Sequence, residues 1–270
     1  MDVKEKYKNY LKTKTGINQY NCFKSIIYTQ NDTLVESICN IIISELENID
    51  AISICDIGGG DGERIMKIIK YLNKHLKCTV NLDFIEQSEL MCAIFKKSVP
   101  NKLIDCKINI LPKEIECVKI ENTYDLIFFI HSIFCLHDFK IFKRVFEHLN
   151  QNGLILVASN SHNSFIASLK EKLDVEYFGK RYEIQDLIFD LKANNVFYRE
   201  IIINTSFMLG ANEFNEKFSV ILEWLSLGRF HNYDAYEKKR ILNFAKERAK
   251  LNNDIYHIEE KEKILIIPKN

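Results

Sequence analysis

The stretch ICDIGGGDGE at residues 54–63 decides the fold that this sequence predicts. It places four glycines within five residues, directly after a short apolar run and directly before the amphipathic pattern Glu63–Leu76. A glycine-rich turn between a strand and a helix lets a ligand approach the backbone closely. A simple packing turn is the alternative, but four of the nine glycines of the chain are concentrated here. We therefore interpret residues 58–62 as a ligand-binding loop.

Short apolar runs alternate with amphipathic stretches on both sides of this loop. Strands are predicted at 52–57, 79–85, 105–110, 125–130, 154–158, 197–203 and 263–267. Helices are predicted at 34–46, 63–76, 89–97, 140–150, 184–194, 213–227 and 233–251. Parallel neighbouring strands require crossover connections, which are usually helices. The alternation of strands and helices therefore predicts an α/β fold with a doubly wound, mostly parallel, seven-stranded sheet.

The predicted elements divide the chain into four parts. Residues 1–48 form an N-terminal helical cap, in which residues 31–33 (Asn-Asp-Thr) are the expected N-cap of the second helix. Residues 49–204 form the α/β domain, residues 205–262 a helical insertion or lid, and residues 263–270 the final strand of the sheet.

Composition and charge exclude several classes of protein. The 270 residues contain 37 Lys and Arg against 37 Asp and Glu, and this neutrality counts against a nucleic-acid partner. The longest apolar runs are far too short to span a bilayer, so no membrane partner is expected. The eight cysteines form no CxxC pair, and the N-terminus lacks a secretion signal. We expect a cytoplasmic protein that is a monomer or a weak dimer.

The loop is acidic, and its charge indicates the ligand. A pyrophosphate favours a helix N-terminus without nearby anions, whereas Asp56, Asp61 and Glu63 crowd this one. The third glycine of a dinucleotide fingerprint would also fall on Glu63. An acidic loop suits a cationic ligand, and S-adenosylmethionine carries a sulfonium, an ammonium and a ribose diol but no phosphate. Glu86 ends the second strand, where an acidic side chain can bind ribose hydroxyls, although it also fits an ordinary solvated glutamate.

Residues 56–62 (DIGGGDG) resemble the first motif of class I S-adenosylmethionine-dependent methyltransferases, and Glu86 matches their ribose-binding acid. The GGGxGE form and a later His-x6-Asp segment are similar to the histamine N-methyltransferase-like branch. The resemblance implies a Rossmann-like methyltransferase fold and an enzyme that uses S-adenosylmethionine and releases S-adenosylhomocysteine. It implies cofactor contacts at Asp56, Gly58, Gly60, Asp61, Glu86, Asn109, Ile110 and His131, with Gln87 or Met91 near the adenine.

His131 ends the fourth strand, at the edge of the sheet where ligands collect. The resemblance places this position beside the sulfonium and the incoming nucleophile, so His131 is the candidate catalytic residue, as a polar contact or a proton acceptor. A structural histidine that binds a loop backbone is the alternative. Neither its spacing to His137 nor the spacing of the nearby aspartates fits a metal site, and no nucleophile elbow is present.

Aromatic residues are concentrated outside the glycine-loop segment, and most of them are expected in the core. A minority would form an aromatic pocket that holds an amine by cation–π contact. Substrate candidates are Tyr20, Tyr28, Phe134, Phe207 and Trp224. Glu259 and Glu260 either neutralise such an amine or belong to a solvated charge run. Where histamine enzymes of the branch carry an acid, the alignment gives Gln30, which argues against histamine itself.

These features predict an N-methyltransferase that acts on an amine of a small molecule or of a short modified peptide. Methyl transfer from a sulfonium is an in-line displacement in which positioning supplies most of the rate, so the lack of a catalytic triad is expected. A small-molecule O-methyltransferase is the alternative within the class. A regulator that binds S-adenosylmethionine or S-adenosylhomocysteine without turnover is the alternative outside it.

Overall fold

A computed structural model describes Lys6 and residues 9–46, 50–100, 106–173 and 182–269, except for the side chains of residues 28 and 29. The strands of this part of the chain are β1 (Ala51–Ile57), β2 (Thr79–Ile85), β3 (Cys106–Leu111), β4 (Tyr124–Ile130), β5 (Leu149–Asn160), β6 (Arg199–Gly210), β7 (Lys250–Asn252) and β8 (Ile255–Pro268). They form one sheet in the order β3-β2-β1-β4-β5-β8-β6, and β7 pairs with β8 beside this path.

The pairing of the strands confirms the predicted α/β fold. Strand β1 pairs in parallel with β2 and β4, β2 pairs in parallel with β3, and β4 pairs in parallel with β5. The strand order reverses between β1 and β4, which makes the sheet doubly wound and places a ligand-binding crevice at the carboxyl ends of these strands. All seven predicted strands are present, and the three-residue strand β7 is an addition.

The helices of the described residues are α1 (Lys14–Ile26), α2 (Tyr28–Glu45), α3 (Glu63–Leu76), α4 (Glu89–Ser98), α5 (Phe139–Glu147), α6 (Phe165–Lys172), α7 (Ile184–Ala193), α8 (Phe214–Leu225) and α9 (Ala235–Arg248). Side-chain caps define several helix starts. Asp138 caps α5, with one carboxylate oxygen accepting from the N–H groups of Lys140 and Ile141, and Ser164 caps α6 by accepting from Ala167.

Helix α2 begins earlier than the sequence predicts. The N–H of Asn31 donates to the carbonyl of Ile27 at 3.1 Å, so the backbone is already helical where the cap was expected. The predicted N-cap at residues 31–33 is therefore wrong, because continuous helical hydrogen bonds replace it. Asn31 is 6% exposed and lies within the helix.

The described residues form two compact units. The first, which we call the loop unit, comprises residues 35–159, 181–201 and 263–270, and the second unit comprises residues 1–34, 160–180 and 202–262. In the loop unit, apolar side chains of the strands pack against the inner faces of α5 and α7. Ile127 and Phe129 of β4 and Leu187 of α7 are fully buried. The four predicted domains remain a prediction.

Strands replace part of the predicted helical insertion. β6 continues to Gly210, and β8 begins at Ile255, eight residues before its predicted start. Along β8, Ile258, Glu260 and Glu262 alternate as buried residues. Charged residues are normally expected on the solvent side of a strand. The two buried glutamates therefore hide the alternation of apolar and polar residues that would have predicted this part of β8.

None of the described helices is long and apolar enough to cross a membrane. The cysteines form no disulfide in the residues that the structure covers.

Candidate cofactor site

The glycine loop of the loop unit follows β1 and ends where α3 begins at Glu63. Gly58 has φ +71°, and a Cβ atom there would lie 2.5 Å from the Cβ of Ser132. A Cβ atom at Gly59 would lie 2.2 Å from the ring of Phe84 and 2.4 Å from a carboxylate oxygen of Asp56. Atoms cannot approach this closely, so these two positions exclude any larger residue. The loop backbone therefore lies directly on the ends of the strands.

Glu86 joins the loop to the end of β2. Its side chain is 7% exposed, Oε2 accepts from the N–H of Gly60 at 3.0 Å, and Oε1 accepts from the N–H of Ser88 at 2.7 Å. Burial raises the pKa of Glu86, the backbone N–H groups of Ser88 and Gly60 lower it, and the charge of Asp61 raises it. An ordinary solvated glutamate is excluded by this burial. A carboxylate has about four acceptor positions, so at least one remains for a ligand hydroxyl.

Asp56 adds a second buried carboxyl group beneath the loop. It is 3% exposed, and burial together with the charge of Glu86 raises its pKa to about 7, while Arg64 lowers it. Burial, the larger cause, disfavours a charge of either sign, whereas the contribution of Glu86 reflects a negative potential beneath the loop.

The end of β4 contributes two residues to the same edge of the sheet. His131 has φ +55°, a left-handed conformation that His adopts more readily than most residues, and its N–H donates to the carbonyl of Ala158 at 2.7 Å. Ser132 is 2% exposed, and its hydroxyl donates to the carbonyl of Ile57, the last residue of β1. Ser132 thus fixes the residue that precedes the loop.

Two serines of this site were not predicted as functional residues. Ser88 is 3% exposed, binds Glu86 through its N–H, and caps α4 by accepting from Met91 at 3.4 Å. The signal for Ser88 was its position as an N-cap directly after the acidic residue. Ser132 had no local signal, because its partner Ile57 is 75 residues away in the sequence.

The predicted adenine contacts differ in their surroundings. Met91 is 1% exposed and belongs to the core, whereas Gln87 is partly exposed. The Oε1 atom of Gln87 is buried and has no hydrogen-bond partner among the described residues. Of these two residues, Gln87 therefore offers the unsatisfied polar atom beside Glu86.

Asn109 is engaged away from the glycine loop. Its amide donates to Asp83 in the middle of β2 at 2.9 Å, and the same carboxylate accepts from Asn122 at 2.9 Å and from Tyr124 at 2.6 Å. These donors give Asn109 a structural role between β2 and β3. The cofactor contacts predicted at Asn109, which is exposed, and at Ile110, which is partly buried, both stay predictions.

The substrate candidates fall into separate groups. In the second unit, the ring centroid of Trp224 lies 5.1 Å from that of Tyr20 and 6.0 Å from that of Phe23, and Trp224 is 8% exposed. Phe207 is fully buried in another aromatic group, 6.2 Å from Phe165. Phe207 therefore lies in the hydrophobic core, as expected of most of the aromatic residues.

The remaining substrate candidates are Gln30, Phe134 and Tyr28. Gln30 is 2% exposed, and its amide donates to the fully buried Glu262. Phe134 belongs to the loop unit, in the short 3-10 turn Ile133–Cys135 that follows His131. The side chain of Tyr28 lies outside the described residues. Within the described ranges, no group of three His, Cys, Asp or Glu residues is arranged to hold a metal ion.

Comparison with solved structures supports the fold assignment. The plantazolicin methyltransferase BpumL, in complex with a pentazolic desmethylPZN analog and SAH, aligns with a TM-score of 0.55 and 14% identity over 99% of this chain and 97% of that chain. The phosphoethanolamine N-methyltransferase 2 of Haemonchus contortus, in complex with phosphomonomethylethanolamine and S-adenosylhomocysteine, aligns with a TM-score of 0.56 and 14% identity over 98% of this chain and 60% of that chain.

A putative methyltransferase from Bacillus halodurans aligns with a TM-score of 0.54 and 9% identity over 86% of this chain and 99% of that chain. No family model matches the sequence, and no curated protein matches it. At these identities the likeness concerns the fold alone. The chain has the Rossmann-like fold of class I methyltransferases.

Proposed function

We propose that this protein is an S-adenosylmethionine-dependent methyltransferase. One observation carries the proposal: at the end of β2, the carboxylate of Glu86 is held against the glycine loop by the N–H groups of Gly60 and Ser88. In the doubly wound fold, an acid at this position accepts hydrogen bonds from ribose hydroxyls. The proposal is tested by calorimetric titration of the full chain with S-adenosylmethionine, S-adenosylhomocysteine and a nicotinamide nucleotide. Binding of the nucleotide alone would refute it.

The residues present fit this cofactor. Buried carboxyl groups at Asp56 and Glu86 favour a cation over a phosphate, and the buried Oε1 of Gln87 offers an acceptor for a polar group of the ligand. Gly58 and Gly60 would contact it through the backbone, with Asp61 beside them. When bound, the cofactor supplies an electrophilic methyl group on its sulfonium. The structures of BpumL and of the nematode enzyme, both complexed with the demethylated product, support this choice.

We further propose that His131 acts at the acceptor. Its backbone is fixed by the hydrogen bond to Ala158, and its left-handed conformation sets the direction of the imidazole at the end of β4. The imidazole would receive a proton from the acceptor or hold its nucleophilic atom by a hydrogen bond. Ser132 supports this arrangement by fixing the end of β1.

We propose an amine as the acceptor and methyl transfer to nitrogen by in-line displacement. The aromatic group of Tyr20, Phe23 and Trp224 in the second unit supports this choice, since aromatic faces attract ammonium groups. The printed names of two neighbours, a plantazolicin methyltransferase and a phosphoethanolamine N-methyltransferase, support acceptors that are peptide-derived or small. Transfer of a labelled methyl group, followed by mass spectrometric location of the label, tests the proposal. A label on oxygen would favour the O-methyltransferase alternative.

The histamine N-methyltransferase-like branch remains a finer proposal. Gln30 replaces the acid of its histamine enzymes, and the amide of Gln30 is committed to Glu262 within the second unit. This contact fits an acceptor other than histamine, because the amide of Gln30 is already engaged. Failure of histamine to accept methyl, together with methylation of another amine, is the expected result.

A regulator that binds the cofactor without turnover is the second candidate. It would bind S-adenosylmethionine with the same residues but transfer no label to any acceptor. Cytoplasmic location, a monomeric or weakly dimeric state and the lack of a nucleic-acid partner also remain predictions, which fractionation, light scattering and a nucleic-acid retention assay test.

A further inference from the structure

The second unit contains a polar cavity of about 620 Å³. Its buried lining consists of Ser164, Phe165, Thr205 and Glu260. The charged residues Arg248, Glu259 and Lys261 are exposed at its rim. A volume of this size is typical of sites for small molecules. The cavity therefore has an acidic interior and a rim of mixed charge.

Glu260 is the buried charge of this cavity. It is 1% exposed on β8, Oε2 accepts from the N–H of Ile166 at 2.8 Å, and Oε1 accepts from the N–H of Lys261 at 2.9 Å. Glu262 lies two residues further along, on the same face of the strand. Burial, and to a smaller extent the charge of Glu262, raise the pKa of Glu260 to about 7. This carboxyl group would be stabilised by a nearby cation.

Two of the charged residues at the rim have other contacts. Arg248 donates to the hydroxyl of Ser168 at 3.1 Å, and the exposed Glu259 pairs with Lys250. Glu259 thus belongs to a solvated charge pair, as one of the two interpretations of the sequence predicted. Glu260 differs from Glu259, because its carboxyl group lies in the buried lining of the cavity.

Thr205 gives an independent indication of a ligand. It lines the same cavity and is 5% exposed, and its Oγ1 atom has no hydrogen-bond partner among the described residues. A buried hydroxyl without a partner costs free energy, so such groups usually bind a ligand or an ordered water. Thr205 and Glu260 line the same cavity, so the hydroxyl of Thr205 offers a second acceptor to a ligand bound there.

We propose that this cavity binds an ammonium group, with the carboxylate of Glu260 as the anionic partner and the hydroxyl of Thr205 as a second acceptor. An ammonium group carries several donors and no acceptor, which matches a lining of carboxylate and hydroxyl oxygens beside the ring of Phe165. An anion would instead meet the charge of Glu260. This binding lies within the second unit and does not depend on the proposed function.

The test is an NMR titration of the full chain at pH 8 with n-butylamine, which is protonated there, and with 1-butanol as its neutral counterpart. We expect n-butylamine to shift the backbone amide signals of Ile166 and Lys261, which donate to Glu260, in a saturable manner. The alcohol should bind at least tenfold more weakly. Equal binding of the two probes, or shifts of these amides by inorganic phosphate at lower concentration, would overturn the proposal.

Two variants locate the site. Glu260→Gln should weaken n-butylamine binding at least tenfold, and the nearly isosteric Thr205→Val should weaken it about threefold. Glu171→Gln removes a charge from an exposed position of α6 and should leave the binding unchanged. Glu260 also binds the N-terminus of α6. If Glu260→Gln does not fold for this reason, n-butylamine binding to Thr205→Val, compared with binding to the wild type, tests the proposal. Unchanged binding in Thr205→Val would then count against the proposal.

A separate titration with S-adenosylmethionine distinguishes this inference from the proposed function. Loss of ammonium selectivity while the methyl donor still binds would overturn only the cavity assignment. Ammonium binding in a protein that does not bind the methyl donor would overturn the proposed function and leave the cavity assignment intact.

Discussion

Gly60 donates its backbone N–H to Oε2 of Glu86 across 3.0 Å, so the end of β2 holds the loop that follows β1. Glu86→Gln keeps the size of the side chain but removes the charge and one of the two acceptors. We expect S-adenosylmethionine to bind at least tenfold more weakly, measured by calorimetry. Glu89→Gln, at an exposed position of α4, is the matched control. An unchanged affinity in Glu86→Gln would refute the cofactor role of Glu86.

Gly59→Ala tests the close approach of the loop to the sheet. Its Cβ would lie 2.2 Å from the ring of Phe84, so the loop must move. We expect at least a tenfold loss of S-adenosylmethionine affinity and a loss of about 1–3 kcal/mol in the free energy of unfolding. In the control Gly210→Ala, the nearest atom is the side-chain oxygen of Asn212 at 3.0 Å, which can rotate away. Equal effects of the two substitutions would contradict the assignment.

Ser132→Ala tests the hydrogen bond that joins the end of β4 to β1. It leaves the buried carbonyl of Ile57 without this donor, so the free energy of unfolding should fall by about 1–3 kcal/mol in denaturant titrations. Cofactor affinity should fall as well, because the loop begins at the next residue. Ser98→Ala removes a hydroxyl that bonds within α4 at an exposed position, and we expect a smaller effect on stability and none on affinity.

Asp56→Asn should alter the pH dependence of stability. The pKa of Asp56 is raised from 3.8 to about 7, so between these values the folded protein retains a proton that the unfolded chain releases. The contribution of Asp56 to the free energy of unfolding is therefore present below pH 4 and is lost as the pH rises through 7. Asparagine has no such dependence.

Relative to the wild type, Asp56→Asn should gain on the order of a few kcal/mol between pH 4 and pH 8. Denaturant midpoints measured across this range test the prediction. Glu86 remains in both proteins, so the change in its own ionisation largely cancels in the comparison. A constant difference between the two proteins would show that the pKa of Asp56 is not raised.

His131→Asn separates backbone geometry from imidazole chemistry. Asparagine tolerates the left-handed conformation of this position, φ +55°, so the fold and the cofactor affinity should be retained. Labelled-methyl transfer should slow at least tenfold if the imidazole contacts the acceptor. His162→Asn, at an exposed position, is the control. An unaltered rate in His131→Asn would show that His131 has only a structural role.

The local sequence was sufficient to predict the glycine loop, β2 and α3. β2 and α3 show a clear hydrophobic periodicity, and a turn residue or an acidic residue marks the end of each segment. The burial of Glu260 could not be predicted from the sequence, because it depends on partners that are remote in the chain. Glu259 beside it has the same charge but is exposed. The hydrogen bond from Asn109 to Asp83 could not be predicted for the same reason, because Asp83 lies on another strand and a contact across strands leaves no local pattern.

The strand order has a consequence for biosynthesis. β8, the last of these strands to leave the ribosome, lies between β5 and β6. Until it emerges, β6 has no neighbour on the side that later joins it to the rest of the sheet. We therefore expect β6 to join the sheet only after β8 has emerged, so that this edge of the sheet is completed after both strands have been synthesised.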